Sequence, residues 1–533
     1  MGMATLVTIR HFLISVLFMA FLLVPLAINI LDLSEGIRLN EKRLMASMPS
    51  LGFSADALKA FPAQFEIFFN DHFGLRATLV YGHNFIKVFW LGSSPVSDVI
   101  LGKQGWLFFG NEDELRHYRR NDLPLAPNLQ LWVFYFEQIN SWLNSRDMKL
   151  LLLIAPNKTT IYHEFMPDRF TRAPGPSHLD QLVKAIRPSG LTVIDPRSAL
   201  WEAKGEQQLF YRHDHHWNDA AAYLTYRKIM DRLIRWFPQL QALPESSFAI
   251  KKKVTARKDL AEMLGLANRF METEEGYVYS PDNKRTHPIG RASERKNSNT
   301  LRGCYVLGDS FAEALLPFLS PHCDKLISKN NIHFEKDQIE REGPALVIIQ
   351  ILERFLGSRP ELGELSTLLR ETQGVDFYPA VSLLREVGQD LKSDSVTGTE
   401  RKAVYGKTPR GTLMFGPYTT LKKGEYSAIF RMKTDGDCKL PVVKMDVSAE
   451  GGKKILAQRT LSCSDFERWG KWSEFSLAFV VSSEALADME YRAEYLGGAG
   501  LVIENVRIIP KGRKDPLRPF FNPDPVAVDG KRS

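Results

Sequence analysis

The sequence predicts an α/β fold built on a parallel sheet with helices on both faces, followed by a β-sandwich. Lys149–Ala155, Leu191–Ile194, Gly303–Leu307 and Ala345–Leu352 are short, continuously apolar runs separated by stretches of helical pattern. Strands of a doubly covered parallel sheet read this way. From about residue 411 to 510 the texture changes to short alternating runs, such as Tyr426–Phe430 and Glu474–Phe479, broken by Gly and Lys turns. Regular spacing of that kind predicts a sandwich.

A third feature precedes both. Phe12–Leu31 is a run of twenty residues without a charge, long enough to span a bilayer core of about 30 Å. The apolar part of a cleaved signal peptide is shorter, about 7–15 residues, and ends in a small-residue cleavage site. No such site follows here, so the run reads as an uncleaved transmembrane signal anchor. Arg10 alone precedes it, whereas Arg38, Lys42 and Arg43 follow it, so the positive-inside count does not itself favour an external C-terminus. Long following regions cross largely regardless of charge, and a short N-terminal tail is that of a signal anchor. The expected division is an anchor over 1–33, the α/β region over 34–390, the sandwich over 405–512 and a flexible tail over 513–533.

With 533 residues, 44% hydrophobic and 25% charged, the chain has the composition of an ordinary globular protein of two or three domains. Its net charge of +7 suits an anionic partner such as an acidic polysaccharide or a phospholipid surface. The basic residues are scattered, which is not the footprint of nucleic-acid binding. Residues 33 to about 80 read as amphipathic helix, with Phe61, Phe65, Phe68 and Phe69 as packing residues. Residues 281–300 read as a loop, and 388–410 as a polar separator before the sandwich. Cys304, Cys323, Cys438 and Cys463 fall into two local pairs; the even count fits two disulfides in an oxidising compartment, and inert reduced cysteines fit as simply.

Two stretches could carry chemistry. In Cys304-Tyr-Val-Leu-Gly308-Asp309-Ser310-Phe311 an apolar strand enters a tight turn and leaves into a helix. Ser310 at a helix start would lie among unpaired backbone N–H groups, the donors a tetrahedral oxyanion needs. The plain alternative is that Asp309 or Ser310 is only an N-cap. In Tyr211-Arg-His213-Asp214-His215-His216-Trp217-Asn218-Asp219, Asp214 and His216 are two apart. An extended segment points them to one side, so the carboxylate can hold one imidazole nitrogen while the other faces a serine. His213 and His215 would then point away. Three histidines and two aspartates also suit a metal ion, although no HExxH or second His/Cys cluster supplies further ligands.

These two motifs and their surroundings resemble the AlgJ/AlgX family of SGNH-hydrolase-like proteins, which O-acetylate secreted polysaccharides. The matching stretches, in order, are Phe61-Pro62 through Asn70-Asp71-His72-Phe73-Gly74-Leu75-Arg76, Gly102-Lys103-Gln104-Gly105-Trp106-Leu107-Phe108 and Ala155-Pro156-Asn157-Lys158-Thr159-Thr160-Ile161-Tyr162. Asp214-His215-His216-Trp217, Gly308-Asp309-Ser310-Phe311 and Glu353-Arg354-Phe355 follow. The resemblance implies an SGNH-hydrolase-like sheet in which D-x-H precedes G-x-S. Ser310 is then the nucleophile, His216 the general base and Asp214 its orienter, with the Ser310 N–H contributing to the oxyanion hole. Asn157 and Arg354, at or just past the ends of predicted strands, and Trp217, beside the histidine, are candidates for substrate contact. A turn residue and a structural salt bridge are the plain readings of the first two.

The resemblance also implies a carbohydrate-binding-module-like role for the sandwich, in which Trp469 or Trp472 would stack on sugar rings if exposed. It implies an enzyme without cofactor or metal, in the inner membrane with its catalytic region in the periplasm. A polysaccharide would accept the acetyl group, and a multi-span membrane O-acyltransferase would supply it. The same triad serves a polysaccharide deacetylase if water reaches the acyl-enzyme. A non-catalytic glycan-binding scaffold would have no need of all three residues.

Overall fold

The computed structural model describes residues 9–20, 23, 44–50, 52, 54–120, 126–254, 258–279, 299–360, 362–393, 395–436 and 440–521. Strands β1 (Val99–Leu101) and β2 (Leu107–Phe109) form a hairpin across the turn at Lys103–Gly105. The central sheet draws on β3 (Lys149–Ala155) and β4 (Val193–Ile194), while β5 (Phe248–Val254) and β6 (Thr273–Tyr279) pair only with each other. It is completed by β7 (Cys304–Gly308), β8 (Leu326–Asn330) and β9 (Leu346–Leu352), in the order β4-β3-β9-β7-β8 with every pairing parallel. The last of this sheet's strands in chain order, β9, thus lies in the middle, between β3 and β7.

The continuous apolar runs are explained by burial on both faces. Leu151, Leu153, Val306 and Ile348 join one core with Tyr226, Ile229 and Leu233 of the helix Asp219–Trp236. Their neighbours Leu150, Leu152, Ile154, Leu307 and Ile349 join a second core on the opposite face. There the helices Ala126–Asn144, His178–Ile186 and Leu362–Gln373 supply Trp132 and Phe136, Leu179 and Leu182, and Leu365 and Leu368. The alternation in the strands, period two, sends successive side chains to the two cores. Gln350 is the polar exception in β9, fully buried, and its role lies at the site.

The C-terminal strands are β10 (Asp376–Pro379), β11 (Gln389–Lys392), β12 (Thr399–Ala403), β13 (Gly411–Met414), β14 (Pro417–Thr434), β15 (Pro441–Ala449), β16 (Lys454–Ser462), β17 (Ser473–Tyr495) and β18 (Leu501–Pro510). The predicted short strands are present, but they join one hydrogen-bonded network of nine. The cause is the length of β17: it pairs with β14 between Ser473 and Glu490, and from Glu490 to Tyr495 it pairs with β15. Residues from both halves, such as Phe475 and Tyr491, enter a single apolar core.

Several expectations need correction. The stretch 388–410 is not only a separator, because β11 and β12 lie within it and β10 earlier still. All four residues of β11 are exposed on an edge, so backbone pairing makes this strand without an apolar pattern. The predicted tail contains packed residues: Leu517 and Phe521 are buried in the second core of the α/β region. The Arg507 guanidinium lies 4.6 Å over the Phe521 ring. Phe61, Phe65, Phe68 and Phe69 are on the helix Ala55–His72 as expected, yet that helix buries no residue.

Residues 9–20 are helical. The rest of the predicted span Phe12–Leu31 lies almost wholly outside the described residues, as do 281–298 and Cys438. Among the described residues no helix is long and apolar enough to cross a membrane. Cys304 and Cys323 form a disulfide, and Cys463 is disulfide-bonded too.

Candidate active site

Parallel open sheets place their ligands beyond the carboxyl ends of the strands, where the strand order reverses. Ser310 lies just past the end of β7, Arg354 past β9 and Asn157 past β3. Gly308 lets the strand end pass close to its neighbours, since an added Cβ would meet Ala312 Cβ and Gln350 Oε1 at 2.7 Å each. Gln350 reaches up from β9 to accept the Asp309 N–H at 3.1 Å. Asp309 Oδ1 in turn accepts the Phe311 N–H at 2.9 Å. Among the described residues the Ser310 N–H finds no acceptor. The expected helix start is a 3₁₀ turn, Ala312–Leu315, that passes into the short turn Leu316–Leu319. The Ser310 N–H thus belongs to a tight turn without a long helix behind it.

The histidine segment is held between Phe210 and Trp217, which bridge each other. Between them the chain bends at every residue from Arg212 to His216. Bending overturns the expected alternation: His215 does not point away but packs on His216, ring centroids 3.9 Å apart. Asp214 and His216 still meet, because Asp214 Oδ1 accepts from both the His216 N–H at 2.9 Å and its Nδ1 at 2.6 Å. Oδ2 accepts the Asp259 N–H at 3.0 Å. Burial raises the Asp214 carboxyl, but the hydrogen bond and charge of His216 outweigh it and hold the group well below the usual carboxylate range. With Nδ1–H committed to Asp214, Nε2 is left to accept from Ser310 Oγ, which lies 2.6 Å away. The three residues named from the sequence therefore form one continuous hydrogen-bonded chain.

Asp214, His215, His216 and Asp259 could also hold a metal ion, since a ligand atom from each lies within 4.8 Å of the others. Both Asp214 oxygens already accept protein hydrogen bonds, so a cation would have to compete for them.

The other candidates fare differently. Trp217 is buried, its ring packs on Phe311 and its Nε1–H donates to the Phe311 carbonyl at 2.9 Å. It braces the serine turn against the histidine segment and offers no face to substrate, which corrects its expected role. Asn157 is buried as well. Its N–H donates to Glu353 Oε2 at 3.0 Å and its Oδ1 accepts the Arg354 N–H at 3.3 Å. The Arg354 guanidinium lies 3.5 Å from Glu114 and 4.9 Å over the Phe109 ring. The contacts of both residues are those of a structural network, and Arg354 contributes its charge to the surroundings of Asp309 and His215. Of the two tryptophans in the C-terminal region, Trp469 is exposed; Trp472 is half-buried, with Lys433 Nζ 4.2 Å over its ring.

Sequence reasoning missed Lys158 and Glu114. Lys158 is buried, and its Nζ donates to the carbonyls of Leu107 at 2.6 Å and of Arg212 and Asp214 at 2.9 Å each. It pins the histidine segment to the β1–β2 hairpin, and burial pushes its ammonium down to about 7. Glu114 accepts from Thr159 Oγ1 at 2.6 Å, and burial pushes its carboxyl up to about 7 against the pull of Arg354. For Lys158 the only sequence signal was its place in the stretch after β3; an apolar-looking site for a charge has no local signature.

Residues 99–317 match the family described as "SGNH hydrolase-like domain, acetyltransferase AlgX". A curated relative, "Probable alginate O-acetylase AlgJ" of Pseudomonas syringae pv. tomato, is 29% identical over 28% of this chain and 36% of its own length. The chain thus spans about a third of that relative. Among solved structures, the "O-Acetyltransferase Domain of Pseudomonas putida AlgJ" covers 52% of this chain and 99% of its own at 16% identity and TM-score 0.39. The "C-terminal CBM6 of LamC" from Zobellia galactanivorans covers 25% of this chain and 98% of its own at 18% identity and TM-score 0.19. These last two are too distant to carry the reading, which rests on the family match and the curated relative. Residues 99–317 thus match an SGNH hydrolase-like domain of the AlgX acetyltransferase type.

Proposed function

We propose that the protein is a membrane-anchored, extracytoplasmic O-acetyltransferase that carries an acetyl group on Ser310 Oγ and passes it to a hydroxyl of a secreted polysaccharide. The observation that carries this is the 2.6 Å approach of His216 Nε2 to Ser310 Oγ, with Asp214 2.6 Å behind Nδ1. His216 takes the serine proton as Oγ attacks the acetyl carbonyl carbon, and returns it to the donor's leaving group as that bond breaks. An acceptor hydroxyl then gives its proton to His216 and attacks the acetyl-serine. Ser310 recovers its proton as the new ester leaves. The free Ser310 N–H is the donor for the negative oxygen of each tetrahedral intermediate.

The acceptor class rests on the relative's printed activity, alginate O-acetylation, and on the net charge of +7, which favours an anionic glycan. Exposed Trp469 offers a ring for sugar stacking. The compartment is supported by the Cys304–Cys323 disulfide, a bond of oxidising surroundings, and by the uncharged run Phe12–Leu31. Acetyl-CoA is a cytosolic donor, so a multi-span membrane acyltransferase that exports acetyl groups is the fitting partner. The test is to supply full-length protein with an activated acetyl ester, with and without deacetylated polyuronate oligosaccharides. Acetylated oligosaccharide formed by wild type and lost in Ser310→Ala supports transfer. Acetate release that the oligosaccharide leaves unchanged, with no acetylated product, would make the protein a hydrolase.

A further inference from the structure

The helix Ala55–His72 has an amphipathic pattern, yet none of its residues is buried. At 3.6 residues per turn, Leu58, Phe61, Pro62, Phe65, Phe68 and Phe69 fall on one side, and Asp56, Lys59, Glu66 and Asn70 on another. The rings stack along the helix, Phe61 on Phe65 at 5.8 Å and Phe65 near Phe69 at 6.3 Å. The stripe nevertheless stays in solvent, with Phe65 38% and Phe69 49% exposed. An apolar stripe of this width ordinarily faces a core.

The following helical segment repeats the pattern with one face accounted for. Tyr81, Phe85 and Val88 pack into a small core with Leu260 and Leu264, and Asn84 Nδ2 donates to the Leu264 carbonyl at 2.8 Å. On the opposite side Leu79, Ile86 and Trp90 are exposed, Trp90 by 74%. A contiguous exposed apolar stripe marks a surface for a second neighbour.

We propose that this second neighbour is the surface of the lipid bilayer, on which the helix Ala55–His72 and the outer stripe of residues 79–90 lie flat. The inference rests on the reading of residues 12–31 as an anchor. Only residues 32–54 separate that run from the helix, so the stripe is tethered close to the membrane at high effective concentration. An amphipathic helix with aromatic residues on one face and charges on the other lies in the plane of the interface. Tryptophan favours the membrane interface, and phenylalanine is common on the buried face of interfacial helices.

The test uses full-length protein in nanodiscs of phosphatidylethanolamine and phosphatidylglycerol. Single cysteines are introduced at Phe65, Phe69, Leu79 and Trp90, and at Lys59 and Glu66 as controls. The described native cysteines are disulfide-bonded, so a spin label goes to the new thiol. Lipid contact predicts a severalfold higher ratio of oxygen to nickel-chelate accessibility at the four apolar positions than at the two controls. Equal ratios throughout, or protection of the apolar positions from both reagents, would overturn the proposal in favour of solvent or a protein partner. A label replacing Leu17 reports the anchor separately, so a failed anchor and a failed stripe give different results.

Discussion

His216 Nε2 lies 2.6 Å from Ser310 Oγ although ninety-four residues separate the two in the chain. The contact is made by two braces: the Trp217 indole, which donates to the Phe311 carbonyl, and the Lys158 ammonium, which gathers three carbonyls around the histidine segment. The sheet brings the strand ends together, and the braces set the last few ångströms.

Asp214→Asn should leave the fold in place and disable the chemistry. An amide side chain no longer selects the imidazole tautomer that presents a bare Nε2 to Ser310. By analogy with acid-histidine-serine triads, kcat should fall by about 10⁴. Steady-state kinetics with an activated acetyl ester, beside a circular dichroism spectrum matching wild type, is the check. A loss below tenfold would show that the carboxylate does not orient the base.

Lys158→Met should loosen the site without touching substrate. Each carbonyl left unpaired costs about 1–3 kcal/mol, so the thermal midpoint should drop. The surviving folded protein should show a lower kcat with little change in KM, because His216 loses its fixed approach while the acceptor site is unaltered. A KM effect alone would place Lys158 at the substrate instead.

Glu114 links stability to pH. Its carboxyl titrates near 4.5 when unfolded and at about 7 when folded, so between these values the folded state holds a proton the unfolded state has lost. Stability contributed by this group is full below about pH 4.5 and declines as pH rises through 7. At about 1.4 kcal/mol per unit the change is on the order of 3 kcal/mol. Glu114→Gln should flatten that decline, measured by denaturant unfolding at a series of pH values. An unchanged slope would mean that Arg354 keeps the carboxylate charged throughout.

Much of this site was legible in the sequence, and the reasons are physical. Continuous apolar runs mark doubly covered strands, so Lys149–Ala155 was located to the residue. Asp214, His216 and Ser310 are drawn together by the family resemblance of their two motifs, because a Gly-Asp-Ser turn alone reads as readily as an N-cap. What the sequence hid depended on tertiary context. The bends from Arg212 to His216 turned His215 onto its neighbour, and the alternation of an extended strand misplaced it. Trp217 reads as a candidate for substrate contact, yet its indole satisfies a buried carbonyl. Strand β11 has no apolar alternation because an edge can be held by backbone pairing alone. Leu517 and Phe521 dock into a core built from residues far upstream, which local composition does not report.

Replacing Cys304 and Cys323 together by serine tests the structural role of their bond. The crosslink spans a separation of 19 residues, for which loop-closure entropy gives a contribution of about 3 kcal/mol. The double variant should unfold at distinctly lower temperature, and alkylation of wild type without reductant should leave both thiols unlabelled. Labelling of either one in protein taken from its native compartment would remove the case for an oxidising location.

The most direct measurement concerns Ser310 itself. Full-length protein is incubated with an activated acetyl ester, quenched in acid and digested, and the peptide containing Ser310 is read by mass spectrometry. The account predicts one acetyl group on Ser310 in wild type, its accumulation without acceptor, its loss when polyuronate oligosaccharide is added, and none in His216→Ala. An unmodified Ser310 in an enzyme that still transfers acetyl groups, or transfer at an undiminished rate by Ser310→Ala, would contradict it.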